Sequence, residues 1–183
     1  MQPRMNAIFS SRSLTVFLAL ILLQGFHEME HVVQVVQRFA LGIPNGNGLI
    51  GSLTDIEPLH FVYNTLYLAL LAAVFVLRGL HRDGPSEHGR LVSGLVTFAL
   101  AFQMWHELEH VFKLEQYFVL GVNGTGGVFG IGPGALVPLF PIPLLHLAYN
   151  TVAYVPAVIA FVLLVRRLPV HAVSGAVRRS IAR

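Results

Sequence analysis

The segment LLQGFHEMEHVVQVVQRFALG, residues 22–42, recurs without a gap as AFQMWHELEHVFKLEQYFVLG at 101–121. Gln24, His27, Glu28, Glu30, His31, Gln37 and Gly42 return as Gln103, His106, Glu107, Glu109, His110, Gln116 and Gly121. Both copies follow long apolar runs, LTVFLALILLQGF and LVSGLVTFALAFQMW. A chain that puts ionisable side chains into such runs twice must bring them together, because charge facing lipid or an apolar core is costly. A second repeat follows the first: HFVYNT at 60–65 returns as HLAYNT at 146–151. The unit of duplication is therefore a two-helix hairpin, with repeat one over about 13–80 and repeat two over about 91–167, in a single membrane domain spanning 1–183.

Composition decides the solvent. Of the 183 residues, 55% are hydrophobic and only 11% charged, and the mean hydropathy is +0.68. Soluble domains carry about 25% charged residues, so this chain cannot cover a water-facing surface. Four spans are expected, at 13–41, 58–80, 91–121 and 141–167, each able to cross a hydrocarbon core that needs about 20 residues. The net charge of +3 does not indicate nucleic acid, because the basic residues other than Arg38 and Lys113 lie at the ends of the apolar segments or between them. Arg4 and Arg12 precede the first; Arg78, His81, Arg82 and Arg90 separate the second and third; Arg166, Arg167, Arg178, Arg179 and Arg183 follow the fourth. The connections 42–57 and 122–140 contain no Lys or Arg. The positive-inside rule then makes both termini cytoplasmic and turns the two Gly-rich connections outward. The basic start imitates a signal peptide, but HEMEH follows the apolar run where a small-residue cleavage site would stand. The basic tail reads as an anchor for anionic headgroups.

The expected fold is an all-α integral membrane four-helix bundle, built from two parallel two-helix repeats related by a pseudo-two-fold axis along the membrane normal. Its solvent is the lipid bilayer, and partner membrane subunits are compatible with its size. At 1.5 Å per residue, His27 and His106 stand roughly 20 Å above the cytoplasmic helix ends, His60 about 27 Å and His146 about 30 Å. All belong to one layer toward the outer face. His27 and His31 are one turn apart on the same helix face, as are His106 and His110. Gln24, Gln34 and Arg38 continue that stripe, and Gln103, Lys113 and Tyr117 continue it in the second copy. His60, Tyr63 and Asn64 share a face, repeated by His146, Tyr149 and Asn150.

Six histidines and four glutamates in one layer suit a transition metal. The expected ligands are His27, Glu28, Glu30, His31, His60, His106, Glu107, Glu109, His110 and His146. Gln24, Tyr63, Asn64, Gln103, Tyr149 and Asn150 would support the ligands, face a substrate or join helices by hydrogen bonds. Glu28-x-x-His31 and Glu107-x-x-His110 match the Glu-x-x-His device of dimetal carboxylate bundles, although histidines replace the further glutamates of that pattern. The expected centre is thus dinuclear, holding iron or copper with zinc as the alternative, in an oxidoreductase acting on a small or lipid-soluble substrate.

Other readings of the same residues are a metal carrier, store or delivery protein, a zinc hydrolase, a b-type haem protein and a metal-free proton relay. His-Glu-x-x-His is also the zincin signature, but Glu30 and Glu109 have no part in that scheme. No cysteine is present, which excludes disulfides and thiolate ligands. The uncharged loop GVNGTGGVFGIGPGALVPLFPIP is a surface connector or a lid over the polar layer. Asp55 and Glu57 stand in the other outer connection, and Trp105 adjoins His106 as an interfacial residue or a wall of the site.

Overall fold

The computed structural model describes residues 11–44, 46–50, 56–77 and 87–166. Arg4, Asp55, Arg78, His81, Arg82, Arg167, Arg178, Arg179 and Arg183 lie outside the described residues, as do positions 78–80 and 167 of the expected spans. Four helices carry the fold: α1 (Ser11–Val35), α2 (Glu57–Leu77), α3 (Glu87–Leu120) and α4 (Ile142–Val165). A π-helical turn, Val36–Ala40, extends α1. All four are long and apolar enough to cross a membrane. Each packs on two neighbours: α1 on α2 and α4, and α3 on α2 and α4. The four therefore close a ring, with α1 diagonal to α3.

The ring is apolar outside and divided inside. Leu22, Met29, Val62, Phe98, Met104 and Ile159 are exposed on its outer surface. In water such a surface would be unfavourable; against hydrocarbon it is matched. One interior layer is apolar, formed by Phe17, Leu20, Tyr67, Leu71, Val74, Val92, Val96 and Leu164 with Ala99, Ala153, Ala157 and Ala160. The small side chains of α4 let helices approach closely, which is how helices associate where burial in lipid supplies no hydrophobic gain. The other interior layer is polar. Gln24, His27, Glu30, His31, Gln34, His60, Asn64, Gln103, His106, Glu109, His110, Lys113, His146 and Asn150 are all buried there.

The connection after α3 is more ordered than a plain linker. It contains two short parallel strands, β1 (Gly130–Ile131) and β2 (Phe140–Pro141), with Gly130 paired to Phe140 and Ile131 to Pro141. This small sheet adds to the all-helical expectation without altering the ring. The Oγ1 of Thr125, itself buried, donates to the Lys113 carbonyl at 3.0 Å and holds the connection against α3.

Candidate metal centre

Helical periodicity brings the histidines together. His27 and His31 are one turn apart on α1, and His106 and His110 one turn apart on α3. His60 and His146 stand in the first turns of α2 and α4. All six are buried. Their rings touch across the helix interfaces: centroids are 5.6 Å apart for His27–His60, 5.7 Å for His31–His60, 5.5 Å for His31–His146 and 5.2 Å for His110–His146.

The nitrogens lie at a spacing that ligands to one ion would have. Nε2 of His27 and Nε2 of His31 are 3.2 Å apart. Two nitrogens bound tetrahedrally to one zinc-sized ion at about 2.0–2.1 Å are separated by about 3.3–3.4 Å. His60 joins them, and one ligand atom from each of His27, His31 and His60 lies within 4.8 Å of the other two. The opposite ring nitrogens are tied down. His31 Nδ1 donates to Gln34 Oε1 at 2.8 Å, and His60 Nδ1 donates to the Ile56 carbonyl at 3.2 Å. An imidazole whose Nδ1–H is donated carries its lone pair on Nε2, the usual tautomer of a metal-ligating histidine.

The second set is built differently. His106 Nε2 and His110 Nε2 are again 3.2 Å apart. Here, however, Asn64 Nδ2 donates to His110 Nε2 at 3.0 Å, and Lys113 Nζ donates to His146 Nε2 at 3.3 Å. Nδ1 of His106 and Nδ1 of His110 are buried with no hydrogen-bond partner.

The four glutamates stand at the margins of the histidine cluster, each with protein partners. Thr151 Oγ1 donates to Glu28 across α1 and α4, and Thr65 Oγ1 donates to Glu107 across α2 and α3. Glu30 accepts from the N–H groups of Leu49 and Ile50, at 2.8 and 3.3 Å. Glu109 accepts from those of Val128 and Phe129, at 2.9 and 3.3 Å. Each of these two connections is also gripped one step earlier. Gln37 exchanges two hydrogen bonds with the Gly48 backbone, and Gln116 does the same with Gly127. Gly48 and Gly127 have φ of +77° and +63°. A Cβ there would come within 2.0 Å of the Glu30 carboxylate and 2.5 Å of that of Glu109. Glycine is required at both points for the backbone to reach the carboxylate.

The amides form a supporting tier. Gln24 Nε2 donates to Asn150 Oδ1 at 2.7 Å, and Gln103 Nε2 donates to Asn64 Oδ1 at 3.0 Å. Asn64 and Asn150 in turn donate to the carbonyls of His60 and His146, both at 3.0 Å. Tyr63 stacks on His27 at 4.3 Å, its hydroxyl donating to the Leu23 carbonyl. Tyr149 meets His106 edge-on at 5.2 Å, and the neighbouring Trp105 faces Phe129 with ring centroids 6.0 Å apart.

Two cavities open on the cluster. One of about 130 Å³ is lined by His27, Glu30, Gln34, His60 and Tyr63 together with the apolar Phe26, Ile50 and Leu59. The other, about 250 Å³, is bordered by Arg38, Asn47, Glu57, Lys113, Asn123 and His146 among others. Sequence reasoning overlooked the pairing of Lys113 with Glu57, whose Nζ–Oε1 distance is 2.7 Å with both side chains buried. The available signal was the Lys itself, the one cation placed where the first copy has Gln34. It also overlooked Thr65 and Thr151, although both close the repeated six-residue block.

No family model, curated protein or solved structure matches the chain.

Proposed function

We propose that the chain is an integral membrane metalloprotein in which His27, His31 and His60 bind a transition-metal ion, and that it acts as an oxidoreductase on a small or lipid-soluble substrate. The observation that carries this reading is the convergence of those three rings, with His31 and His60 each anchored through Nδ1. Imidazole donors suit iron, copper and zinc alike; the proposed metal is iron or copper, with zinc the alternative. Three protein ligands leave a coordination position open, as catalytic rather than structural sites do. An ion of the proposed class would supply one-electron chemistry and Lewis acidity at that position.

The chain's own residues do the rest. Phe26, Ile50 and Leu59 give the smaller cavity an apolar entrance suited to an uncharged substrate. Glu30 fastens Ile50 as part of its wall, and Tyr63 stacks on the His27 ring from one face. The apolar layer beneath the histidines, with Phe17, Leu20, Leu71 and Val96 fully buried, argues against a metal path through the membrane. It therefore favours a resident ion over a transported one.

The membrane placement belongs to the same proposal: both termini cytoplasmic, the centre toward the outer leaflet, and the two hairpins related by a pseudo-two-fold axis. The matched bonds Gln24–Asn150 and Gln103–Asn64, and Glu30 and Glu109 with their loops, support the duplication. The test is elemental mass spectrometry of detergent-purified protein, beside His31→Ala and His60→Ala. Iron or copper lost in both variants, with absorption that changes on admitting oxygen, supports the reading. Zinc in a colourless protein moves it to a hydrolase, and a folded protein without bound metal sinks it.

A further inference from the structure

The two halves of the site are not equivalent, and one side chain makes the difference. In the gapless alignment of the repeats, Gln34 corresponds to Lys113, and in that of the second block Glu57 corresponds to Pro143. Gln34 accepts the Nδ1–H of His31. Lys113 has three donors and no acceptor, and the equivalent nitrogen, His110 Nδ1, is left buried without a partner. The ammonium turns instead toward the second histidine set. It donates to His146 Nε2 at 3.3 Å and pairs with Glu57 Oε1 at 2.7 Å.

We infer that Lys113 occupies the second half of the centre in place of a metal ion, so that the chain binds one ion in the first triad and an ammonium in the second. This rests on the metal-centre reading above. A divalent ion held by His106, His110 and His146 needs a lone pair from each. One of those nitrogens, Nε2 of His146, already accepts a hydrogen bond from the Lys113 ammonium. Such an ion would also stand against a buried positive charge, a repulsion that low-dielectric surroundings strengthen. Glu57 completes the substitution: it neutralises the ammonium, a role with no counterpart in the first half, where the equivalent position of α4 is Pro143. The histidine pattern of the repeat is thus retained while the charge pattern selects a single metal.

The inference is tested on the full chain in detergent by replacing the pair together, Lys113→Gln with Glu57→Gln, so that no buried carboxylate is left alone. The glutamine restores at 113 the acceptor that serves His31 in the first half. Metal per chain, measured after iron or copper loading and removal of excess, is expected to rise from about one equivalent to about two. Adding His31→Ala should empty the wild-type chain yet leave about one equivalent in the double variant. A double variant that elutes like the wild type and still binds one equivalent overturns the inference but leaves the first site standing. Two equivalents in the wild type overturn it as well. A wild type without metal removes both readings together. If the double variant does not fold, His146→Ala and His60→Ala in the wild type decide: metal is kept in the first and lost in the second, and loss in both overturns the inference.

Discussion

Nε2 of His27 and Nε2 of His31 face each other at 3.2 Å, while the far nitrogen of His31 is committed to Gln34. The proton on His31 is therefore at Nδ1, and its Nε2 presents a lone pair to His27. In the proposed centre such a pair would share a cation, with Gln34 orienting the His31 ring.

Removing that acceptor should weaken the site without deleting a ligand. Gln34→Leu is expected to lower metal affinity about 10- to 100-fold, the usual effect of losing a group that orients a ligating histidine. Competition against a chromophoric chelator measures it. An unchanged affinity would show that Gln34 plays no orienting part.

The loop glycines give a second prediction. Gly48 and Gly127 sit at positive φ, and a Cβ at either would collide with the carboxylate that the loop caps. Gly48→Ala and Gly127→Ala should each destabilise the protein by about 1–3 kcal/mol, the cost of a residue held in a sparsely allowed conformation. Thermal unfolding in detergent reads this out. Alanine variants as stable as the parent would mean that the loops are not fastened to Glu30 and Glu109.

Much of this arrangement was legible in the sequence, and the exceptions have a common cause. The four helices followed from apolar runs of spanning length, and the convergence of six histidines followed from two repeats and the 3.6-residue period. The destination of the glutamates did not. Glu30 and Glu109 bond to backbone N–H groups of loop residues 19 and 20 positions away, and periodicity within a helix carries no information about where a loop returns. Glu28 and Glu107 meet threonines on the neighbouring helix, a pairing fixed by helix rotation at the interface. The repeat held a partial signal for both, since Gln37 and Gln116, and Thr65 and Thr151, recur with the histidines. Lys113 and Glu57 were harder to find because they break the repeat.

That pair makes the third prediction. Lys113 and Glu57 are both buried, so deleting one partner strands a charge. Lys113→Ala is expected to cost about 3–5 kcal/mol, as when a buried ion pair is broken. Lys113→Ala with Glu57→Ala should recover a large part of that loss, because no uncompensated charge remains. The comparison by thermal unfolding is a double-mutant cycle. Additive losses would show that the two side chains are not coupled.

The last prediction links metal to stability. An ion that binds the folded chain and not the unfolded one stabilises it by mass action, by about 2.7 kcal/mol at a free concentration 100 times its dissociation constant. Strong chelation should therefore lower the midpoint of thermal unfolding, and readdition of iron or copper should restore it. The dependence must pass through the first triad, because it is there that three histidines converge, His31 and His60 with anchored Nδ1 groups. His60→Ala should unfold at the same temperature with and without metal. His146→Ala, whose partner is the Lys113 ammonium, should keep the metal response while starting from a lower midpoint. A metal response that survives His60→Ala would place the ion elsewhere, and one that vanishes in both variants would mean that the two halves of the cluster act as one.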